Sequence, residues 1–558
     1  MRLLFLFCLF VTIGRIGVAA AGVDSASESA QVDQLFAEWD KPTSPGCALA
    51  IMRDGRIIYE RGYGMADLDH DVKITPTTVF HVASMSKQFT AASILILAQE
   101  GKLSLDDETT KYVPELPNFG VPITLQHLLH HTSGLRDQWE LLGLAGWRYS
   151  LDLITDADVL AVLARQKTLN FQPGSQFLYS NTGYTLLAQV VKHVSGQSLR
   201  VFTSNRIFLP LGMSHTHFRD DHAEIVKGIA YGYAPHNGIG LSIPNFDTVG
   251  ATSLLTTVED LALWDENFYT ARIGGEALVR QLQERGYLND GTQLGYAAGL
   301  EVAKYRGLNI VSHAGTDAGY RADLIRFPDQ HFSVAVLCNL ASINPGALSR
   351  RIADIYLAPS FEAKSPPTTV PALSPQPSSE QLKQWAGLYV NPGESDRVMR
   401  VRLRGGTLQS GLNADGRLSD LEATDNARFR YIKEPQTELV FRADENGTPA
   451  SLSTYIDGKI QHHYSLMPLY EPTAAQLQEF TGVYRSQEID MPYTVIFSDG
   501  RLVVRSLKSN DMPLIPVSTD LFSGGGNRIR FTRDPQGKIT GALLNGSRVN
   551  NFRFDRSQ

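Results

Sequence analysis

The segment Val82-Ala83-Ser84-Met85-Ser86-Lys87 runs directly into Gln88-Phe89-Thr90-Ala91-Ala92-Ser93-Ile94-Leu95-Ile96-Leu97, and its reading decides the fold. The second half is almost uncharged and predicts an apolar helix, on which a spacing of three sets Ser84 and Lys87 on one face. A serine hydroxyl is a weak nucleophile and needs a base, which a lysine supplies when burial or neighbouring cations lower its pKa. A serine and a lysine three apart also recur by chance at solvated helix starts, so the segment needs company.

Two more clusters supply it. Phe171-Gln-Pro173-Gly174 is a turn signal that introduces Tyr179-Ser180-Asn181-Thr182-Gly183-Tyr184 and places Tyr179 to Asn181 on a loop. A tyrosine beside a cationic Lys87 is expected to have a lowered pKa and to shuttle a proton between Ser84 and a leaving group. Val311-Ser312-His313-Ala314-Gly315-Thr316 lies in a strand-like run. Gly315 there lets a substrate backbone approach the strand edge, where N–H groups can stabilise an oxyanion.

Working outward, strand-like runs occupy residues 46–63 and 308–339, with helical patterns such as 84–99 and 184–194 between them. Strands from both ends of a body with helices between predict one sheet closed by both ends, an α+β layered domain with helices flanking the sheet. Near Ala363 the composition turns to Pro and Ser, which reads as a linker over 363–378. The tail beyond it repeats itself. Gln381-Leu-Lys-Gln-Trp-Ala-Gly387-Leu-Tyr389 returns as Gln476-Leu-Gln-Glu-Phe-Thr-Gly482-Val-Tyr484, and short alternating runs fill each copy. Two small antiparallel β-barrels are expected, over 379–470 and 471–558.

The first 21 residues combine Arg2, an apolar run from Leu3 to Ile13 and Ala19-Ala20-Ala21, the pattern of a cleaved export signal. The mature body then spans 22–362, and the destination is periplasmic or extracellular. The apolar run is too short to anchor the chain, so no stable membrane insertion is expected after processing. A formal charge of -7 with interspersed signs excludes a nucleic-acid surface. Cys47 and Cys338, the two cysteines outside the signal, show no CxxC spacing, so neither a metal nor another cofactor is indicated. Both sit in short apolar runs and read as two separate core thiols, with a disulfide between them as the alternative.

Taken together, the three clusters resemble the active-site motifs of the serine β-lactamase and penicillin-binding-protein superfamily, particularly its class C-like branch. Leu128-Leu129-His130-His131-Thr132-Ser133-Gly134-Leu135, Pro210-Leu211-Gly212-Met213 and Thr257-Val258-Glu259-Asp260-Leu261 are similar to that family as well. The resemblance implies a β-lactamase-like catalytic domain in which Ser84 is acylated, Lys87 and Tyr179 share general-base and general-acid work, and Asn181 orients Lys87 and a substrate amide. It also implies an oxyanion site at the backbone of Ser84 and Thr316, beside Gly315.

One departure bears on substrate. His313-Ala314-Gly315 stands where the family's lactamases commonly carry Lys-Thr-Gly, and a neutral imidazole and a methyl group bind a carboxylate poorly. The His-x-Gly form and the paired barrels resemble bacterial D-stereospecific aminopeptidases, in which a loop of the last barrel enters the cleft. Residues 506–512 or 522–526 are the expected loops. The implied function is an exported hydrolase of short peptides or amides of D-amino acids. A small-ester esterase and a lactam- or cell-wall-binding DD-peptidase or receptor stand as alternatives. The expected partner is a small-molecule or short-peptide substrate, and the sequence leaves a homodimer open.

Overall fold

The computed structural model describes residues 25–361, 377–391, 396–432, 437–456, 458–468, 470–508 and 510–557. The export signal read over 1–21 and residues 363–376 of the linker lie outside the described residues.

The body is built on six antiparallel strands: β1 (Cys47–Arg53), β2 (Arg56–Tyr63), β3 (Glu301–Tyr305), β4 (Leu308–Asp317), β5 (Tyr320–Phe327) and β6 (Phe332–Cys338). Their order is β3-β4-β5-β6-β1-β2, so the strands from the two ends of the body meet at the β6–β1 pair. Successive side chains of a strand face opposite sides, and β1 is buried on both. Cys47, Leu49 and Ile51 enter one core with Val32, Phe36, Ile352 and Tyr356. These come from the helices α1 (Ser25–Phe36) and, at the end of the body, Pro345–Tyr356. Ala48 and Ala50 face the second core, beneath Leu261 and Trp264 of the helix Val258–Thr270. Small residues alternate with large ones in the run Cys47-Ala-Leu-Ala-Ile-Met because a helix packs close on the alanine side.

That second core is organised around α2 (Lys87–Gln99), whose residues 87–97 are all buried. A helix apolar on every side belongs inside a large domain, and α2 packs there against α3 (Asn181–Ser195).

Cys47 and Cys338 are register partners on β1 and β6, and their sulfurs are joined in a disulfide. This corrects the expectation of two separate thiols. Residues 291 apart in sequence become direct neighbours once β6 returns beside β1, which residue spacing cannot show. The double variant Cys47→Ala/Cys338→Ala is expected to lose about 2–4 kcal/mol of stability. Thermal unfolding checks this, and an unchanged midpoint with and without reductant would count against it.

The tail forms two β structures. Eight strands from Gly387 to Leu466 make a closed barrel. The second is a nine-stranded sheet whose two end strands, Met512–Pro513 and Ile515–Ser518, are separated only by Leu514. One interrupted strand therefore bridges both edges and nearly closes the second barrel. The repeat read in the sequence has a structural basis. A capping box opens a five-residue helix in each copy, Ser378 with Gln381 and Thr473 with Gln476. Tyr389 Oη donates to Trp385 O at 2.9 Å, and Tyr484 Oη donates to Phe480 O at 2.7 Å. Among the described residues no helix is long and apolar enough to cross a membrane.

Candidate active site

Ser84 sits on a single 3-10 turn, Ala83–Ser86, that leads into α2. The turn is held under strain: Ala83 has φ of 50°, a left-handed conformation costly for a residue with a Cβ. Three bonds hold it there. Val82 N donates to Leu254 O at 3.0 Å, Ser86 Oγ donates to Ala83 O, and Leu254 N donates to Ser86 Oγ at 3.0 Å. The result leaves Ser84 half-buried while Met85 and Ser86 are enclosed.

Lys87 is fully buried, and its Nζ lies 3.1 Å from Ser84 Oγ, 2.9 Å from Asn181 Oδ1 and 2.7 Å from Ala251 O. The two carbonyl oxygens can only accept. A neutral Lys87 would satisfy both with its two N–H groups and turn its lone pair to the Ser84 hydroxyl. Burial pushes the Lys87 pKa well below its ordinary value, and Arg548 lowers it further, while Asp137 and Asp317 oppose the shift. The site thus favours the form of lysine that can take a proton.

Asn181 is the first residue of α3, and Asp137 anchors it. The backbone N and Nδ2 of Asn181 both donate to Asp137 Oδ2, each at 2.8 Å. That pairing sets the amide's orientation and leaves Oδ1 for Lys87. Asp137 also caps a helix by accepting from Trp139 N at 3.0 Å. Sequence reading did not select Asp137. The run Asp137-Gln-Trp-Glu140 carries a helix-start pattern, but nothing in it points to Asn181.

Tyr179 lies over Lys87, whose Nζ is 4.8 Å from the ring centroid. Among the described residues, the buried Tyr179 hydroxyl has no partner at hydrogen-bonding geometry. Burial pushes its pKa up, against opposing effects of the Ser84 hydroxyl and Arg548. This corrects the expectation of a lowered value: Lys87 is held toward neutrality, and desolvation outweighs the cations. His131, also unassigned from the sequence, packs on Tyr179 in a tilted arrangement at 4.2 Å between centroids and accepts from Ser180 N at 3.1 Å. It fixes the tyrosine's loop to the body.

On β4, the strand β3 pairs only as far as Ser312, so residues 313–317 keep one edge open beside the Ser84 turn. Gly315 permits the approach, because a Cβ there would lie 2.1 Å from Val82 O. Thr316 is exposed on this edge, and a cavity of about 640 Å³ lined by Thr316, Arg321, Asp323, Asn344 and Arg350 opens next to it. His313 is buried. Its Nδ1 contacts Ala314 O at 2.7 Å, an oxygen that can only accept, so Nδ1 carries the proton and Nε2 accepts from Tyr296 Oη at 2.9 Å. Burial and Lys87 lower the His313 pKa to about 3, so it presents no charge at neutral pH. Sequence reading missed Tyr296, which carries no local motif.

The second barrel packs against the body beside Tyr179. The segment that enters is 545–551, between strands Ile539–Asn545 and Phe552–Arg556, and not 506–512 or 522–526. Ser506, Met512, Gly525 and Gly526 instead line a cavity of about 510 Å³ against Glu140 and Leu144. The guanidinium of Arg548 lies 4.9 Å from the Tyr179 ring centroid. Away from the cleft, Asp221, His222 and Asp247 bring potential metal-ligand atoms within 4.8 Å of one another at an exposed position.

The beta-lactamase family profile matches residues 32–358. The D-aminopeptidase of Gluconobacter oxydans is 24% identical over 502 residues, covering 85% of this chain and 88% of its own. That of Brucella ovis is 26% identical over 523 residues, covering 90% and 93%. Among solved structures, the octameric penicillin-binding protein homologue from Pyrococcus abyssi matches with a TM-score of 0.54 at 23% identity, over 87% of this chain and 99% of its own. The D-amino acid amidase from Ochrobactrum anthropi SV3, solved with D-phenylalanine, matches with a TM-score of 0.51 at 21% identity, over 60% of this chain and all of its own. The structural matches carry the fold, and the profile carries more than half of the chain: the protein belongs to the beta-lactamase family of serine hydrolases.

Proposed function

We propose that the protein is an exported peptidase or amidase that cleaves short peptides or amides of D-amino acids through an acyl-enzyme on Ser84. The observation that carries the reading is the environment of Lys87, a buried amine whose two carbonyl partners leave its third direction to Ser84 Oγ. Lys87 takes the Ser84 proton as the hydroxyl attacks the carbonyl. Tyr179, held protonated by burial, gives its proton to the departing amine and regains one from the water that releases the acyl group, while Lys87 returns its proton to the departing Ser84 oxygen. Backbone N–H groups of Ser84 and Thr316 receive the developing oxyanion, Gly315 lets them converge, Asn181 orients Lys87 and the substrate amide, and His313 supports Tyr296 against Tyr179. The relatives named D-aminopeptidase support the substrate class, since they match across the barrels as well as the body.

Turnover of D-alanine 4-nitroanilide, with an adduct on Ser84 trapped by a phosphonate and located by mass spectrometry, tests the reading. Hydrolysis of 4-nitrophenyl acetate with none of the anilide would replace it with an esterase.

The pH dependence has a definite sign. Protonating Lys87 removes its lone pair, so kcat/KM is expected to fall as pH drops through the depressed Lys87 pKa. Asp137 favours the cation and raises that pKa. Asp137→Asn is therefore expected to move the acidic limb to lower pH, and a limb that stays in place or moves up would show that Asp137 does not tune Lys87.

A further inference from the structure

The loop 545–551 is held by its backbone, which leaves one side chain to act. Arg548 N donates to both carboxylate oxygens of Glu140 at 3.0 Å, and Arg548 O accepts from Asp137 N at 3.3 Å and Asn170 Nδ2 at 2.9 Å. Asn550 N donates to Asn170 Oδ1 at 2.8 Å, and Ser547 Oγ donates to Glu140 Oε1. With the backbone bonded on both sides, the Arg548 side chain projects over Tyr179.

The guanidinium there keeps its hydrogen-bonding capacity. Among the described residues it makes no hydrogen bond. Its nearest acid is Asp137 Oδ2 at 3.7 Å, and that oxygen already accepts twice from Asn181. The Arg548 side chain is 38% exposed, enough for its N–H fork to reach a ligand. An arginine stays charged at any pH at which proteins fold and matches a carboxylate with two parallel hydrogen bonds. Lys87 and His313 are both held toward neutrality, so Arg548 is the permanent cation beside Tyr179.

We infer that Arg548 is a specificity-determining residue, delivered into the cleft by the second barrel, and that the substrate it selects carries a carboxylate within reach of Tyr179. This rests on the reading of Ser84 as the nucleophile and narrows its substrate class. The carboxylate missing its binding group on β4, where His313 and Ala314 stand, finds one on a different domain.

The test uses the full-length protein, as wild type, Arg548→Gln and Arg548→Lys. Rates are measured at the pH plateau on three esters: 4-nitrophenyl acetate, the mono-4-nitrophenyl ester of glutarate with its carboxylate on the acyl part, and 3-acetoxybenzoate with its carboxylate on the leaving part. Relative to the acetate, kcat/KM for one of the two anionic esters is expected to fall about 10- to 100-fold in Arg548→Gln, mainly through KM, with part retained in Arg548→Lys. The arm that falls locates the carboxylate. Ratios within about threefold of wild type in both arms would overturn the proposal. A readout independent of turnover is the binding of N-acetyl-D-alanine to Ser84→Ala by calorimetry, expected to weaken about tenfold when Arg548→Gln is added. Equal binding would overturn it too. Failure of the Ser84 reading is visible separately, as wild-type protein that neither hydrolyses the neutral acetate nor forms an adduct with a neutral fluorophosphonate.

Discussion

Lys87→Met is expected to lower kcat/KM by about 10³-fold or more while the protein stays folded. Methionine keeps the length and volume of the buried stem and deletes only the base. Two acceptors, Asn181 Oδ1 and Ala251 O, lose their donor, at roughly 1–3 kcal/mol each. An opposing effect limits the damage. The folded-state pKa of Lys87 lies below its unfolded value, so below that unfolded value protonation favours the unfolded chain, and removing the amine relieves this burden. The contrast between a collapsed rate and a nearly preserved melting transition is the signature to measure, together with the loss of adduct at Ser84. A variant retaining activity within tenfold of wild type would mean that another group takes the serine proton. Ser84→Ala is expected to lose at least as much, because a nucleophile and its base act as a unit.

The second large effect concerns stability and lies at the junction of the body with the second barrel. Arg136 Nη1 pairs with Glu488 Oε2 at 2.7 Å, with the two side chains only 1% and 6% exposed. Arg136 also donates to Gln166 Oε1, Thr168 Oγ1 and the backbone oxygens of Asn550 and Asn551, and its guanidinium lies 5.0 Å from the Phe552 ring centroid. Glu488→Ala strands a buried cation and is expected to cost about 3–5 kcal/mol. The charge-free pair Arg136→Met/Glu488→Leu is expected to recover most of the loss, because two desolvated ions disappear together. Chemical denaturation of the three proteins decides the point, and a single variant as stable as wild type would show that solvent reaches the pair. Because Arg136 holds the carbonyls of residues 550 and 551, Glu488→Ala is also expected to reduce the preference for anionic substrates.

Much of the site was legible because its chemistry follows the chain locally. Ser84 and Lys87 are three apart on one helical run, and a three-residue period places them together whatever surrounds them. Asn181 follows a turn signal and opens a helix. The two barrels announced themselves because a duplicated unit preserves its own packing, down to the matched tyrosine bonds at Trp385 and Phe480. The apolar run of β1 was visible as a strand too, although not which face would meet which helix.

The sequence alone indicated the Ser84–Lys87 spacing, the Tyr179-x-Asn181 cluster, the strands at both ends of the body and the doubled tail, since each rests on a local pattern or on repetition; that Ser84 sits on a 3-10 turn before the helix and that Asn181 already opens one came from the structure. Tertiary structure decided what those residues experience. Asp137 orients Asn181, His131 and Tyr296 pack around Tyr179, Cys338 returns beside Cys47, and Arg548 arrives from a barrel more than 450 residues beyond Lys87. Charge and burial act through space. The low pKa of Lys87, the high one of Tyr179 and the cation in the cleft belong to the folded assembly, because desolvation and Coulomb interaction depend on distance between groups and not on their separation along the chain.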